Sequence, residues 1–528
     1  MRKAQFDNLS PPKSPRMTAT EEKPTAGSLS KVETQNVGTV QDETLHSLGY
    51  TPQLRRTRSL STILFMSLSI ASIPYGIGSS LMSTIYGGGQ LSLFVGLIVV
   101  LVLDACIALS LAELASRYPT SSGVYYYSYQ LAQSSRARTL LSFITGWIWL
   151  IGNWTITLSV NFGLASMIAA TIAIFWPDWQ ATDWQLLLMF YAMCLLTFTI
   201  CAVGDKMLPL IDTVAAATSL VTCVVVLLTL SITAKSGRHT AADALGSFDP
   251  SLSGWGNFAF FVGLLPPAYT FSAIGMVTSM AEECTDPEIQ MAQGISLVTV
   301  VGGVAALIFV LPICFTLPPL LDVANAPYGQ ALPYIFLKVT DSQAGALVLM
   351  IMVLFVSIFC SISITTTASR CTWAFSRDNA IPFSKIWSKT INDSPIPALC
   401  LVTAIEMLLG LINLGSSSAF TAFASVGVIG LAVAYCIPIA ISLLNGRKEV
   451  MKARWNIGWL LGMVLNTIAV FWILFQLVLF SMPTVLPVTQ VSMNYASVVF
   501  VGCLSLCLIW YAVYGKTKFK GPPEITHF

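Results

Sequence analysis

The sequence predicts an all-α membrane protein of twelve transmembrane helices, a five-plus-five inverted repeat with broken helices 1 and 6, plus two extra helices. Three observations predict it. Hydrophobic residues make up 55% of the 528 and charged residues only 10%, where a soluble fold averages about 25% charged. Apolar runs long enough to cross about 30 Å of hydrocarbon recur twelve times. Helix-breaking residues interrupt two of those runs, five spans apart.

The first element is a tail over residues 1–58, rich in Ser, Thr, Pro, Lys and Glu, which buries too little apolar surface to offset chain entropy and is expected to be disordered. Its first thirty residues hold no apolar h-region, so the first span is expected to act as the targeting signal. The twelve runs follow at roughly 61–83, 90–112, 140–174, 184–203, 210–233, 257–280, 293–316, 344–369, 398–414, 418–443, 457–480 and 494–514. Runs one to ten form an inverted-repeat core over 59–443, and the last two occupy 444–515. A short tail over 516–528 closes the chain.

An even number of spans places both termini on one side. All but three of the 27 Lys and Arg fall on that side, the exceptions being Lys235, Arg238 and Lys338, so the positive-inside rule makes both termini cytoplasmic. The balance of 27 basic against 25 acidic residues gives no basic excess for nucleic acid. No Walker A, HExxH or GxSxG pattern points to an enzyme, and no Cys/His spacing points to a metal or cofactor. Of the twelve cysteines, ten lie inside the runs, as packing residues do.

Within the first run, Ser72-Ile73-Pro74-Tyr75-Gly76-Ile77-Gly78 puts a proline and two glycines at mid-depth. In the sixth, Pro266-Pro267 is followed by Tyr269-Thr270-Phe271-Ser272-Ala273-Ile274-Gly275. Freed amides and carbonyls in lipid cost several kcal/mol each, so such breaks belong where they line a cavity. One kink alone is as well explained by the general abundance of Gly and Pro in membrane helices. A matched pair five spans apart predicts two half-helices facing one site, with free N–H groups for an anion and free carbonyls for an amine.

Three further stretches carry a family resemblance: Ala112-Glu113-Leu114-Ala115-Ser116-Arg117-Tyr118-Pro119-Thr120-Ser121-Ser122-Gly123 with Tyr125-Tyr126-Tyr127; Glu282-Glu283-Cys284-Thr285-Asp286-Pro287; and Ser376-Arg377-Asp378-Asn379-Ala380-Ile381-Pro382-Phe383-Ser384. Over about residues 50–515 the chain resembles the amino acid–polyamine–organocation (APC) permease superfamily, most closely its fungal amino-acid and choline permease branch. The resemblance implies alternating access, and a substrate site made by the unwound parts of spans 1 and 6. Carried over, that site comprises Ser72, Ile73, Tyr75, Gly76, Gly78 and Ser79 with Phe271, Ser272, Ala273 and Gly275.

Other residues are weighed on their chemistry. Trp154 in span 3 could cage an organic cation with Tyr75 and Phe271, or simply fill the bundle. Ser363 and Thr366, in the hydroxyl-rich stretch of span 8, could complete a cation site, or serve as small packing residues. Asp104, Asp212 and Glu406 are carboxylates within spans, and all three histidines lie outside them. A coupled proton would therefore ride on a carboxylate, with Asp104 the deepest and Asp212 next, close to the inner face where water could solvate it. The acidic stretch beginning at Glu282, with Arg117 and Arg377, reads as an inner salt-bridge gate.

Together these imply a secondary active transporter, a permease taking up an amino acid or related amine with a proton or sodium. The alternatives are a choline-, GABA- or polyamine-type cation uniporter or symporter, or a non-transporting nutrient receptor. Its expected partners are the small-molecule substrate, the coupling ion and the bilayer, in a plasma or vacuolar membrane.

Overall fold

A computed structural model describes residues 43–415, 417–490 and 492–524. Twelve of its helices are long and apolar enough to cross a membrane: Leu60–Ser80, Gln90–Arg117, Ala137–Ile172, Asp183–Val203, Asp205–Thr233, Gly256–Glu283, Pro287–Thr316, Gln343–Arg377, Ile396–Gly415, Ser425–Leu444, Trp459–Ser481 and Ala496–Lys518. We number them spans 1 to 12. The short ninth run extends to Gly415, and a separate helix begins at Ser417 to carry span 10.

Burial sorts the spans. The apolar stretches of spans 1, 3 and 6 are each 72% buried, whereas those of spans 4, 11 and 12 are 28%, 33% and 11% buried. The first set forms the axis of the bundle and the second presents apolar side chains outward. With lipid as solvent, the exposed Leu, Val and Phe on spans 4, 5, 11 and 12 need no burial; packing between helices comes from close approach of small residues instead. Gly152 of span 3 lies against Gly430 and Leu431 of span 10, and Gly427 lies against the backbone of Ile156, each too close for an added Cβ.

Helix pairings obey a five-span shift. Span 3 packs on span 10 as span 8 packs on span 5; span 4 packs on span 8 as span 9 packs on span 3; spans 2 and 7 pack on each other. A short helix at Gly123–Leu131 joins spans 2 and 3 on the face where the described chain begins and ends, the tail face, and Ala331–Thr340 sits between spans 7 and 8 on the opposite, distal face. The two halves are inverted copies.

The tail expected over 1–58 divides. Residues 1–42 lie outside the described residues, but the chain is packed from Leu45 on: residues 43–47 form a helical turn, and Leu45, Leu48, Tyr50, Leu54 and Arg58 are buried. Sparse but well-spaced apolar residues suffice here, because the tail face of the bundle supplies the rest of the core. Arg58 pairs with Cys284 as an isolated parallel bridge, so the segment entering span 1 lies beside the chain leaving span 6.

Candidate functional site

Span 1 is two helices, Leu60–Ala71 and Ile73–Ser80, joined at Ser72, whose φ of 42° and ψ of 60° are left-handed. Pro74 has no N–H to continue the first helix, and the left-handed residue turns the chain as helix-ending residues do. Span 8 supplies partners for the interruption: the Cys360 thiol donates to Ile70 O at 3.3 Å, and Ser72 Oγ donates to Val356 O at 3.4 Å. Span 6 is helical over Leu265–Phe271, with Pro266 and Pro267 in its first turn, then changes at Ser272–Ala273 to a 3₁₀ segment, Ile274–Glu283. The sixth span is therefore interrupted at Gly263–Leu264 and again at Ser272–Ala273, and it is rewound rather than unwound through Gly275.

The two breaks touch. A Cβ on Gly76 would stand 2.8 Å from Thr270 Oγ1 and 2.9 Å from Ala71 O. Between them lies a void of about 10 Å³, lined by Ala71, Tyr75, Gly76, Tyr269, Ser272 and Ala273 among others. A second void of the same size lies on the other side of Ser272, lined by Asp104, Phe271, Tyr435 and Gln476. Each has room for about one water. Asp104 Oδ1 accepts from Trp472 Nε1 at 2.7 Å and Gln476 Nε2 at 3.2 Å, while its Oδ2 is buried and without a partner, as is Tyr435 Oη. Buried polar atoms are rarely left so, and both belong to residues lining the void beside the span 6 break.

Toward the distal face lies a vestibule of about 410 Å³, lined by Ser80, Ser83, Phe480, Asn494 and Tyr495, and one aromatic ring lines both it and the first void. That ring is Tyr269, which lines both spaces and whose hydroxyl lies 3.2 Å from Ser159 Oγ of span 3. The distal closure is thin.

The tail-side closure is thick and ionic. A buried chain runs from Asp205 to Arg370 (2.7 Å), Glu283 (2.8 Å), Arg58 (3.3 Å) and Asp212 (2.8 Å). Ser363 Oγ lies 2.8 Å from both Asp212 Oδ1 and Ser69 Oγ. Burial opposes the charge on Arg58, and the Asp212 and Glu283 carboxylates more than offset it, so its pKa is raised. Beside this chain, Arg377 donates to both oxygens of Glu282 at 2.9 and 3.0 Å, and Ser121 N donates to Glu282 at 3.1 Å. The Arg377 guanidinium also stacks over Tyr50 at 3.8 Å and Trp373 at 4.6 Å. Tyr50 and Tyr125 donate to Asp378 Oδ2 at 2.9 and 2.8 Å. Burial pushes the Asp378 carboxyl up to about 6.

Most of the sequence-predicted residues converge on this axis, with exceptions. Ser72, Ile73, Tyr75, Gly76, Phe271, Ser272, Ala273 and Gly275 surround the breaks; Tyr75 Oη donates to Val160 O at 2.8 Å, and Gly275 packs on the Tyr435 ring. Gly78 is buried against Leu332, and Ser79 bonds back to Gly76 O, one turn distal of the void. Trp154 does not reach either void: its indole donates to Thr372 at 3.0 Å, tailward of Ile156 and Val160, which do line one. Asp212 is not solvated as expected but 2% exposed and doubly partnered. Thr366 faces Cys201, 3.4 Å away, instead of a cation site. Arg117 takes Glu449 at 3.0 Å and leaves the Glu282 gate to Arg377 alone.

The sequence reading did not single out Arg58, Arg370, Asp205, Asp378, Tyr50 or Tyr269. Arg58 hides among Arg55 and Arg56 as an ordinary basic flank. Two nearby acids on other spans gave no linear signal that one arginine was destined for them.

A bundle with paired helix breaks at its centre, a thin aromatic closure on one side and a thick ionic one on the other is a membrane transporter rather than an enzyme. The sequence pattern of the amino acid permease family matches residues 59–503, and the chain belongs to that family, within the amino acid–polyamine–organocation superfamily. It is 29% identical over 475 residues to the choline transporter of Saccharomyces cerevisiae, covering 89% of this chain and 84% of that one. It is 31% identical over 497 residues to the amino-acid permease BAT1 homolog of Oryza sativa subsp. japonica, covering 90% and 94%. Its identity to the polyamine transporter TPO5 of S. cerevisiae is 29% over 485 residues, covering 88% and 76%.

Proposed function

We propose that this permease takes up a small amine-bearing solute, an amino acid or close relative, into the cytosol by alternating access, coupled to a proton through Asp104. Both termini are cytoplasmic on this reading, since the positive-inside bias favours it, and the membrane is the plasma membrane or the vacuole. Spans 1–10 move the solute, and spans 11–12 flank them. One observation carries the reading: the breaks of spans 1 and 6 meet at a void that shares one lining tyrosine with the distal vestibule. The half-helix starting at Ile73 directs its positive dipole end toward that meeting point; Pro74 has no N–H and the Tyr75 and Gly76 amides donate to Ser72 O, so the dipole and the Ile73 amide are what would favour a substrate carboxylate there. Asp104, whose Oδ2 is unpartnered, lines the second void together with Ser272, which lines both voids, so a proton there would be felt at the break.

Named relatives include a choline transporter and a polyamine transporter, so a permanent organic cation is the second reading. A single positive charge gains about 2.3 kcal/mol per 100 mV and needs no coupled ion, whereas a zwitterion gains nothing from voltage. The test is uptake by the purified protein in liposomes. Amino acids, choline, GABA and polyamines are offered under imposed voltage and pH gradients separately. Saturable, pH-driven amino-acid uptake with counterflow is the expected result. Choline accumulation under voltage alone would replace the reading with the second one, and binding without flux of any substrate would leave a receptor.

A further inference from the structure

On the tail face, away from the transport axis, a cavity of about 490 Å³ opens between the ends of spans 2, 3 and 10 and the C-terminal tail. Four cations line it, Arg117, Arg138, Lys448 and Lys452, against two carboxylates, Glu449 and Glu524. The carboxylates do not neutralise it. Glu449 is shared by Arg117 at 3.0 Å and Lys452 at 2.7 Å. Glu524, 70% exposed on the tail, reaches Arg138 only at 3.4 Å. Lys448 has no carboxylate partner among the described residues, and Arg117 Nε is buried with no hydrogen bond at all. The wall is also built, not incidental: Gln130 Nε2 donates to Pro523 O at 3.1 Å, which pins the tail across the opening, and Asn445 Nδ2 donates to Leu131 O at 2.6 Å, which joins the end of span 10 to the helix Gly123–Leu131.

The depth of these groups fixes what they can meet. Arg117 is the last residue of span 2 and Arg138 the second of span 3, so the cavity sits where a lipid headgroup layer meets the protein. Basic pockets between helix ends at that level suit phosphorylated headgroups. Arginine matches a phosphate through paired N–H donors, and lysine supplies point charge. We propose that this cavity binds a phosphomonoester-bearing polyanion, the chemistry of an inositol phosphate headgroup, with the Glu524 carboxylate occupying the place by Arg138 that a phosphate takes.

The chemistry is shared by a bilayer phosphoinositide and a soluble inositol phosphate, and the experiment has an arm for each. The full-length protein is placed in nanodiscs of phosphatidylcholine with either 5% phosphatidylinositol bisphosphate or an amount of phosphatidylserine of equal charge. Soluble inositol trisphosphate is titrated onto protein in plain phosphatidylcholine discs. Wild type is expected to retain the bisphosphate lipid over phosphatidylserine, or to bind the soluble phosphate; the arm that responds identifies the source. The triple variant Arg138→Gln, Lys448→Gln, Lys452→Gln should lose about a hundredfold, roughly fivefold per cation. Glu524→Gln should bind a few-fold tighter. None of these residues touches the transport axis, so uptake by the triple variant at wild-type level shows that it is folded. Equal retention of the two lipids with no binding of the soluble phosphate, or unchanged binding by the triple variant, would overturn the proposal.

Discussion

On the proposed reading, Asp104 carries the coupled proton. It is 2% exposed and holds one oxygen between an indole and an amide of span 11 while leaving the other free beside the span 6 break. A carboxylate so placed is expensive within a membrane unless it is used. Replacing it with Asn keeps the acceptor for Trp472 and removes the proton site. Asp104→Asn should therefore abolish the pH dependence of uptake while substrate counterflow persists, measured in the same liposomes at several external pH values. A pH profile unchanged from wild type would clear Asp104 of coupling. Glycines at the breaks act through space instead: a Cβ on Gly275 would lie 2.5 Å from the Tyr435 ring, so Gly275→Val should eliminate uptake while leaving the protein at the membrane. Both positions stood out in the sequence, Asp104 from its depth and Gly275 from the Pro/Gly stretch around the break, although the structure places Gly275 just beyond the break, in the rewound segment. Trp154 and Thr366 illustrate the opposite case. Their residue types suit a cation site, but helical rotation turns them to Thr372 and Cys201, and rotation about an axis is not readable from a span that is apolar on every side.

Among the elements, the segment at residues 43–58 binds the tail-side gate together. Leu45, Leu48 and Leu54 bury apolar surface; Tyr126 donates to Leu48 O at 3.1 Å; Thr57 and Arg58 donate their backbone N–H to Glu283 O. Its polar anchor is Asp378, which faces Tyr50, Tyr125, Arg377 and, beyond the last, Glu282. Burial raises that carboxyl to about 6, so undocking the segment, which returns Asp378 to water, is favoured by ionisation. Docking should strengthen as pH falls from about 7 toward 5, because the buried state then binds a proton that the exposed state does not. The protection factor of residues 43–58, the intrinsic amide exchange rate at each pH divided by the measured one, is expected to rise over that range, and Asp378→Asn should remove the trend; protection that falls on acidification would contradict it. The broken helices were legible because Pro and Gly at mid-depth of an apolar run interrupt the helix wherever it packs. The docked segment was not, since its four buried apolar residues among sixteen look like linker until the surface that receives them exists.

At the scale of the whole molecule, the inverted repeat gives two closures around one site, and their inequality defines which way the protein faces. The distal closure is the Tyr269 ring; the tail closure joins spans 5, 6 and 8 and the segment entering span 1 through buried ion pairs. Desolvating those charges roughly cancels their attraction, but removing one partner leaves an uncompensated buried charge, at about 3–5 kcal/mol. That penalty falls only on the tail-closed arrangement, because in the open one water reaches the remaining charge. Glu282→Gln strands Arg377 and should shift the population toward tail-open by a hundredfold or more, at about 1.4 kcal/mol per factor of ten. Two reporters read the shift in a Cys400→Ser background, Cys400 being the one exposed cysteine among the described residues. Ser376→Cys is buried under the tail gate and Ser83→Cys lines the distal vestibule. With Glu282→Gln, an impermeant maleimide should label position 376 faster from the tail side and position 83 more slowly from the distal side. Adding Arg377→Gln removes the stranded charge and should return both rates toward wild type. If both positions label faster together, the variant has merely loosened the bundle; if neither changes, the Glu282–Arg377 pair is not part of the gate.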